Sequence, residues 1–175
     1  MQRIYILGSS GSGKTTLAKS LAQKFNLNRT ELDSLYHQSK WTQLDVSNFR
    51  AQVQEIVLQE NWVIDGNYSV VRDLVLNRCD TIVCMDYSRS FVMRRLLRRT
   101  FSRIWNRTEL WNGNREHFWF LFHPNKEKNL LLWAWTTHKR RHLQMAELLK
   151  DHSISAGNRF CFRTAQETET WLSSL

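Results

Sequence analysis

The sequence predicts a three-layer α/β fold: a parallel β-sheet with helices on both faces, formed by a single domain over residues 1–175. Two observations lead to this prediction. Short apolar stretches without polar alternation, typical of buried parallel strands, alternate along the chain with segments of helical periodicity. A glycine-rich phosphate-binding motif also lies between the first such strand and the first such helix.

Each element is predicted from its own pattern. The first strand, residues 3–7, is almost entirely apolar, and the helix over residues 14–25 has apolar side chains at a four-residue spacing. The other predicted strands lie at residues 29–32, 62–64, 81–85 and 158–162. The other predicted helices lie at residues 45–60, 70–77, 90–105, 124–149 and 165–172. Residues 101–128 are the most irregular part, and we expect a lid insertion there.

Charge is distributed unevenly along the chain. The whole sequence has 25 Lys and Arg residues against 16 Asp and Glu residues, a net charge of +9. Residues 86–142 contain thirteen of the basic and four of the acidic residues, so this basic segment accounts for the whole excess. Such a concentration predicts an anionic partner: nucleotide phosphates, nucleic acid or an acidic surface. A solvated basic face is the simpler alternative.

Neither membrane insertion nor a disulfide framework is expected. The longest apolar run, residues 130–135, has six residues, where a membrane span needs about 20. The first residues lack the apolar core and cleavage site of a signal peptide. The three cysteines are odd in number and form no CxxC pair, which indicates neither disulfides nor a zinc site, and we expect a cytoplasmic protein.

Residues 8–15, Gly-Ser-Ser-Gly-Ser-Gly-Lys-Thr, match the phosphate-loop (P-loop) pattern GxxxxGK[ST] without departure. A triphosphate needs several converging backbone N–H donors, and glycines let the backbone bend tightly enough to supply them. The Lys14 ammonium can reach the β- and γ-phosphates, and the Thr15 hydroxyl can bind Mg²⁺. We therefore predict a site for ATP, or another nucleoside triphosphate, with Mg²⁺. The predicted nucleotide-binding residues are Gly8, Ser9, Ser10, Gly11, Ser12, Gly13, Lys14, Thr15 and Thr16.

Three aspartates that follow predicted strands are candidates for the chemistry around the phosphates. Asp65 and Asp86 each end an apolar strand, where a carboxylate can complete the magnesium shell. We favour Asp65, which precedes Gly66, because Asp86 could instead cap the next helix. Asp33 could act as general base toward an acceptor hydroxyl, bind the second substrate, or occupy a structural turn. His37 is a weaker candidate, since a lone histidine is more often a surface or packing residue.

The predicted helix over residues 90–105 is strongly basic. Arginines stabilise the charge that spreads over a phosphoryl group during transfer, and Arg94 and Arg98 are spaced to point along the same face. We predict that these two reach the phosphates and that most of the neighbouring arginines are solvated. Aromatic side chains between residues 105 and 122 could stack on bases, although packing in a lid or core is their more usual role.

The whole chain resembles the adenylate-kinase-like P-loop proteins of the DNA topology modulation (FlaR-type) family. The matching motifs are GSSGSGKT (8–15), ELDSLYH (31–37), WVIDGNY (62–68), MRRLLRR (93–99), ELWNGNR (109–115) and WAWTT (133–137). The resemblance implies a nucleoside-monophosphate-kinase fold, with a five-stranded parallel sheet in the order 2-3-1-4-5. It also implies that Arg94 and Arg98 correspond to the arginines at the start of the lid in kinases. Arg72 would substitute for the arginine that binds the monophosphate in adenylate kinases. The Asp33 region is more similar to shikimate and gluconate kinases.

These features favour a phosphotransferase that moves the γ-phosphate of ATP to a small acceptor, either a nucleotide or a small hydroxyl compound. The catalytic candidates are Lys14, Arg94, Arg98 and Asp33. The acceptor-binding candidates are Asp33 and Arg72, and the metal-binding candidates are Thr15 and Asp65. The alternative is a nucleic-acid-binding P-loop ATPase that affects DNA topology through the basic segment 86–142. A regulatory nucleotide-binding module without turnover is a third option.

Overall fold

The computed structural model of the chain describes residues 1–119, 129–151 and 156–175. Within these residues the strands are β1 (Arg3–Gly8), β2 (Asn28–Glu31), β3 (Trp62–Asp65), β4 (Thr81–Met85) and β5 (Asn158–Phe162). Neighbouring strands are all parallel, and their order across the sheet is β2-β3-β1-β4-β5. The predicted fold class and strand order are therefore confirmed.

The helices differ from the prediction in two places. Their bounds are α1 (Lys14–Phe25), α2 (Leu32–Tyr36), α3 (Val46–Val57), α4 (Arg72–Leu76), α5 (Arg89–Trp105), α6 (Leu130–Lys150) and α7 (Ala165–Ser174). Leu32 begins the short helix α2, whereas the sequence pattern predicts it as the end of a strand. The helix predicted over 124–149 begins instead at Leu130, after its N-cap Asn129, whose backbone is extended. Part of the predicted lid, residues 120–128, lies outside the described residues. No helix in the described part of the chain is both long enough and apolar enough to span a membrane.

Alternate residues of the central strand β1 face opposite sides of the sheet, and each set joins a separate core. Tyr5 and Leu7 pack with residues of α3, α4 and α6, whereas Ile4 and Ile6 pack with residues of α1 and α7. Because both faces are covered, β3 and β4 are buried along their whole length. This explains why these strands lack the polar alternation of a half-exposed sheet.

The carboxyl ends of the parallel strands meet at one edge of the sheet, where the candidate site residues lie. Glu31 at the end of β2 is in register with Asp65 at the end of β3, and Asp65 is in register with Ile6 of β1. The P-loop leaves β1 at this same edge. The strand order thus brings together segments that are distant in sequence.

Replacing Phe49 with alanine should lower the free energy of unfolding by about 3–5 kcal/mol. The Phe49 ring is fully buried in α3 and contacts the rings of Tyr36 and Tyr68, each with a centroid distance of 5.2 Å. Val46 lies in the same helix but is 49% exposed, so Val46→Ala should change that free energy by less than about 0.5 kcal/mol. Urea unfolding of both variants measures the difference, and equal effects would contradict this position of the core.

Candidate active site

The P-loop connects β1 to α1 and leaves backbone donors free at the start of the helix. Gly11 and Gly13 have φ values of +88° and +103°, which residues with a Cβ rarely adopt. A Cβ on Gly11 would also meet the carbonyl oxygen of Val92 at 2.8 Å, because α5 packs closely over the loop. Within the described residues no side chain caps α1, so its first N–H groups are available to phosphate oxygens.

The Thr15 hydroxyl lies between two carboxylates at the ends of neighbouring strands. Its Oγ1 donates to Oε1 of Glu31 at 3.0 Å and is 3.2 Å from Oδ1 of Asp65. The structure therefore brings two of the predicted site residues, Thr15 and Asp65, into contact. Sequence reasoning missed Glu31. Its position at the carboxyl end of β2, matching that of Asp65 in β3, is the signal that could have found it.

Asp65 is buried, and its carboxylate is only partly hydrogen-bonded. The residue is 2% exposed, and its Oδ2 has no hydrogen-bond partner among the described residues. Desolvation raises the pKa of Asp65 to about 7. The Lys14 ammonium opposes this rise, and the negative charges of Glu31 and Asp33 add to it. Desolvation also lowers the pKa of Lys14, whose Nζ donates to the carbonyl of Ser9 at 3.2 Å.

These groups fit a nucleotide-bound Mg²⁺ ion. The carboxylate oxygen of Asp65 that lacks a partner lies on the same side chain that contacts the Thr15 hydroxyl, and both are oxygen ligands of the kind Mg²⁺ prefers. In the described residues no cluster of three or more His, Cys, Asp or Glu side chains could hold a metal ion. Mg²⁺ needs no such cluster here, since it retains waters and takes phosphate oxygens as ligands.

Asp86, the alternative metal-binding residue, is engaged elsewhere. Its Oδ2 lies 2.6 Å from Nδ1 of His142 on α6, and its side chain is only 10% exposed. The residue that precedes α5 is Ser88, so Asp86 does not stand at the capping position either. Of the two predicted metal-binding aspartates, Asp65 is therefore the one in contact with the P-loop threonine.

Asp33 lies in the first turn of α2 and is bonded to a tyrosine. The Tyr68 hydroxyl donates to Oδ1 of Asp33 at 2.6 Å, and Nε2 of His37 is 3.4 Å from the same hydroxyl. Desolvation, reinforced by the Asp33 charge, raises the pKa of Tyr68. Desolvation lowers the pKa of His37, against the attraction of Asp33. Asp33 and His37 are thus part of one polar cluster beside the strand ends.

The orientation of α5 decides which of its arginines approach the P-loop. Val92 and Leu96 are buried on the face that packs over the loop. A step of two residues rotates a helix by about 200°, so Arg94 and Arg98 point away from that face. Both are exposed. In this structure Arg94 and Arg98 therefore do not face the P-loop, and their contact with the phosphates stays a prediction.

The arginines on the inner side of α5 are Arg95 and Arg99, a pair with the same four-residue spacing. Nη1 of Arg95 donates to the Ser12 carbonyl at 3.5 Å. Desolvation lowers the pKa of the Arg99 guanidinium, while the charges of Asp33 and Glu31 raise it. Arg99 thus lies within electrostatic reach of both the P-loop carboxylates and the Asp33 cluster.

Arg141 interacts electrostatically with Asp33, and Arg72 interacts in turn with Arg141. Desolvation lowers the pKa of Arg141 on α6, the Asp33 charge raises it, and the charge of Arg72 lowers it further. Nε of Arg72 is buried without a hydrogen-bond partner in the part of the chain that the structure describes. Sequence reasoning named Arg72 but assigned no role to Arg141, because no local signal links α6 to a turn more than one hundred residues earlier.

Residues 1–160 match the family model described as ABC transporter. The chain belongs to this family. The matched residues contain the P-loop, strands β1 to β4 and the first part of β5, so what this chain shares with the ABC transporter family is the nucleotide-binding fold. Transport, which the family description names, is not thereby assigned to this chain.

Similar proteins include several kinases. The shikimate kinase of Sulfurihydrogenibium sp. (strain YO3AOP1) is 30% identical over 111 residues, covering 55% of this chain and 67% of that protein. The crystal structure of shikimate kinase from Bacteroides thetaiotaomicron has 18% identity and a TM-score of 0.53, with 99% of this chain and 95% of that chain covered. A gluconokinase from Sinorhizobium meliloti 1021 has 17% identity and a TM-score of 0.51, with 99% and 92% covered.

These comparisons confirm the sequence-based prediction of a P-loop kinase. The two solved structures share the fold at low identity, and the shikimate kinase relative extends the similarity to the sequence. The narrower resemblance to DNA topology modulation proteins stays a prediction.

Replacing Asp65 with asparagine should stabilise the nucleotide-free protein above neutral pH. The folded-state pKa of about 7 exceeds the ordinary value of 3.8, so the folded protein binds more protons than the unfolded chain between these values. The free energy of unfolding therefore falls as the pH rises through this window. Asparagine does not titrate, so Asp65→Asn should be more stable than the parent at pH 8, on the order of 3 kcal/mol, and equally stable at pH 4. Urea unfolding at both pH values measures this.

The same substitution should abolish the magnesium dependence of ATP binding, because it removes a charged oxygen ligand. Asp86→Asn is the matched control, since Asp86 also ends a strand but contacts His142. If Asp65→Asn were less stable than the parent at pH 8, the argument from desolvation would be wrong.

Arg99→Met should lower kcat by about 100-fold or more, because an arginine near the reacting phosphates stabilises the transition state. Arg98→Met, one position away on the exposed side of α5, should change kcat by less than about twofold. Steady-state turnover of both variants decides between the two faces of the helix. The reverse pattern would restore the assignment to Arg94 and Arg98.

Proposed function

We propose that the protein transfers the γ-phosphate of ATP to a hydroxyl group of a small anionic acceptor, with Mg²⁺ bound to the nucleotide. The observation that supports this proposal is that two hydrogen-bonded pairs of side chains lie at the same edge of the sheet. One pair is Thr15 with Asp65, and the other is Asp33 with Tyr68. The first pair suits a nucleotide-bound metal ion, and the second suits an acceptor hydroxyl.

On the nucleotide side, the P-loop amides and Lys14 would bind the β- and γ-phosphates. Thr15 and Asp65 would hold Mg²⁺, which neutralises charge that develops on the phosphate oxygens. Lys14 is a largely desolvated cation, so the phosphates would supply the negative charge that its surroundings only partly provide. Arg99 would approach the transferred group from α5, in the role that sequence reasoning assigned to its exposed neighbours.

On the acceptor side, Asp33 would act as the general base. Its Oδ1 accepts the Tyr68 hydroxyl, which holds the carboxylate in one orientation. The other oxygen can take the proton of an acceptor hydroxyl as that hydroxyl attacks the γ-phosphate. Tyr68 is itself packed between the rings of Tyr36 and Phe49, with centroid distances of 4.8 Å and 5.2 Å, so this orientation is fixed by the core.

The charge around Asp33 favours an acceptor that is an anion. The Asp33 charge raises the pKa of both Arg99 and Arg141, and the charge of Arg72 lowers the pKa of Arg141. None of these three arginines takes part in an ion pair among the described residues. The shikimate kinase and gluconokinase relatives are named for hydroxy acids, which combine the hydroxyl that Asp33 needs with a carboxylate that arginines can bind. We therefore propose a hydroxy acid or a comparable anion as the acceptor class.

The test is ATP consumption with Mg²⁺ against a panel of hydroxy acids, sugars, nucleosides, nucleoside monophosphates and duplex DNA. One small anionic acceptor should raise turnover far above background. Asp33→Asn should then lower kcat by roughly 100- to 10,000-fold, because it removes the base, while binding of magnesium–ATP remains within about twofold.

Asp45→Asn is the isosteric control for this prediction, because Asp45 caps α3 at an exposed site and asparagine caps equally well. Full turnover by Asp33→Asn would remove Asp33 from the mechanism. Absence of any stimulating small acceptor would contradict the proposed function as a whole.

A second proposal is a nucleic-acid-binding P-loop ATPase, in line with the FlaR-type resemblance. It is supported by the outer side of α5, where Phe101 and Trp105 are 53% and 75% exposed beside Arg94 and Arg98. Arginines and exposed aromatic rings together can bind single strands of nucleic acid. ATP turnover stimulated by DNA alone, with a steep salt dependence of DNA binding, would favour this proposal over the first.

A further inference from the structure

Residues 108–116, within the predicted lid, form a small hairpin, here called the tryptophan hairpin. Its two arms pair in antiparallel fashion, and the N–H of Leu110 donates to the carbonyl of Asn114 at 2.7 Å. At the tip, Asn112 and Gly113 have φ values of +56° and +77°. Two successive residues with positive φ are what a type I′ turn requires, and Asn-Gly is its favoured sequence.

The tip of the tryptophan hairpin binds the loop that follows α2 through side-chain amides. Nδ2 of Asn112 donates to the His37 carbonyl at 2.7 Å, and Nδ2 of Asn114 donates to the Gln38 carbonyl at 2.9 Å. Oδ1 of Asn114 accepts the N–H of Trp41 at 2.9 Å. The hairpin is therefore fastened to the segment that begins at the Asp33 cluster.

Trp111 extends from the same hairpin to the nucleotide side of the site. Its indole N–H donates to Oε2 of Glu31 at 3.1 Å, and Oε1 of that carboxylate accepts the Thr15 hydroxyl at 3.0 Å. Nη1 of Arg29 lies farther from Oε2, at 3.7 Å. Glu31 is thus held at one oxygen by the hairpin and at the other by the P-loop.

We propose that Trp111 is a positioning residue for the magnesium–nucleotide site, which acts through Glu31 on the Thr15 hydroxyl. Thr15 can present an oxygen lone pair to Mg²⁺ only while its proton is directed elsewhere, and Glu31 Oε1 accepts that proton. Without the indole N–H, the contact that Oε2 keeps among the described residues is the longer one with Arg29, and the carboxylate can turn away from Thr15. The inference rests on the proposed function, since it requires a nucleotide-bound metal at Thr15.

The position of Trp111 also links the two halves of the site. One element contacts the loop next to Asp33 through its asparagines and the metal-binding threonine through Glu31. The contacts of the hairpin on the acceptor side and on the nucleotide side are therefore made together, by one element. Binding of magnesium–ATP without an acceptor isolates the second effect from the first.

The experiment is calorimetric titration of a non-hydrolysable ATP analogue into the parent protein, Trp111→Phe, Glu31→Gln and the double variant, with saturating Mg²⁺ and with EDTA. Trp111→Phe keeps an aromatic ring and removes the N–H donor. It should weaken binding about tenfold with Mg²⁺, the effect of losing one hydrogen bond to a charged group, and leave binding in EDTA unchanged. In the Glu31→Gln background it should add less than about twofold.

Trp171→Phe is the matched control, since Trp171 on α7 packs against Phe160 and Phe162 of β5, and its affinity should equal that of the parent. Equal weakening with Mg²⁺ and with EDTA, or a full additional loss in the Glu31→Gln background, would overturn the positioning role. Glu31→Gln tests the same link from its other end and must itself weaken magnesium-dependent binding. A parent protein that shows no magnesium dependence would overturn the proposed function as well. An unaffected Trp111→Phe would overturn the positioning role alone.

Discussion

The hydrogen bonds of the Thr15 hydroxyl to Glu31 and Asp65 are the contacts on which the site depends. The two carboxylates meet there because β2 and β3 are parallel and end in register. Asp65 is buried, and desolvation raises its pKa, with repulsion from the negative charge of Glu31 adding to the rise. A divalent cation would remove the repulsion. The arrangement that is unfavourable for the folded protein alone is therefore the one that binds the ion.

The cationic side of the site has the opposite imbalance. Arg99 and Arg141 are desolvated, and Asp33 is a negative charge common to both. Asp65 also acts on the Lys14 ammonium, and Glu31 acts on Arg99. The pKa values of all three cations are lowered nevertheless, because desolvation outweighs these attractions. Phosphates and an anionic acceptor would supply the missing negative charge. Because ligands that bind only the folded state stabilise it, binding of both substrates would offset the unfavourable charges of the empty site.

The sheet and the P-loop could be predicted because their signals are local. Each central strand is a short apolar run, and the nucleotide motif is contiguous. The choice between Arg94 and Arg95 could not be made from arginine spacing, since both belong to pairs four residues apart. The burial of Val92 and Leu96 shows which arginines face the P-loop. These two apolar residues are also four positions apart, and comparing their positions with those of the arginines could have indicated the buried face. Helix α2, five residues long, is too short to show a helical period.

Contacts between distant segments were beyond what the sequence could predict. Glu31 and Thr15 are 16 positions apart, whereas Asp86 and His142 are 56 apart, and only the strand order makes either pair adjacent. The contact made by Asp86 could not be predicted for the same reason. Asp86 ends β4 as Asp65 ends β3, but its partner, His142, lies on α6. A residue at a strand end can thus be recognised as a candidate, while its function depends on which helix covers it.

The two sides of the site differ in how firmly they are held. The P-loop follows strand β1, which is buried from Ile4 onward, and its Gly11 and Gly13 lie against α5. On the acceptor side, side-chain amides of the tryptophan hairpin donate to backbone carbonyls of the loop after α2. These hydrogen bonds contribute little net free energy, because water can replace them. The loop they hold contains Lys40 and Trp41, both with φ of +58°, a conformation that is unfavourable for such side chains. Release of the hairpin would free this loop and, because Trp111 donates to Glu31, would also remove one contact from the nucleotide side.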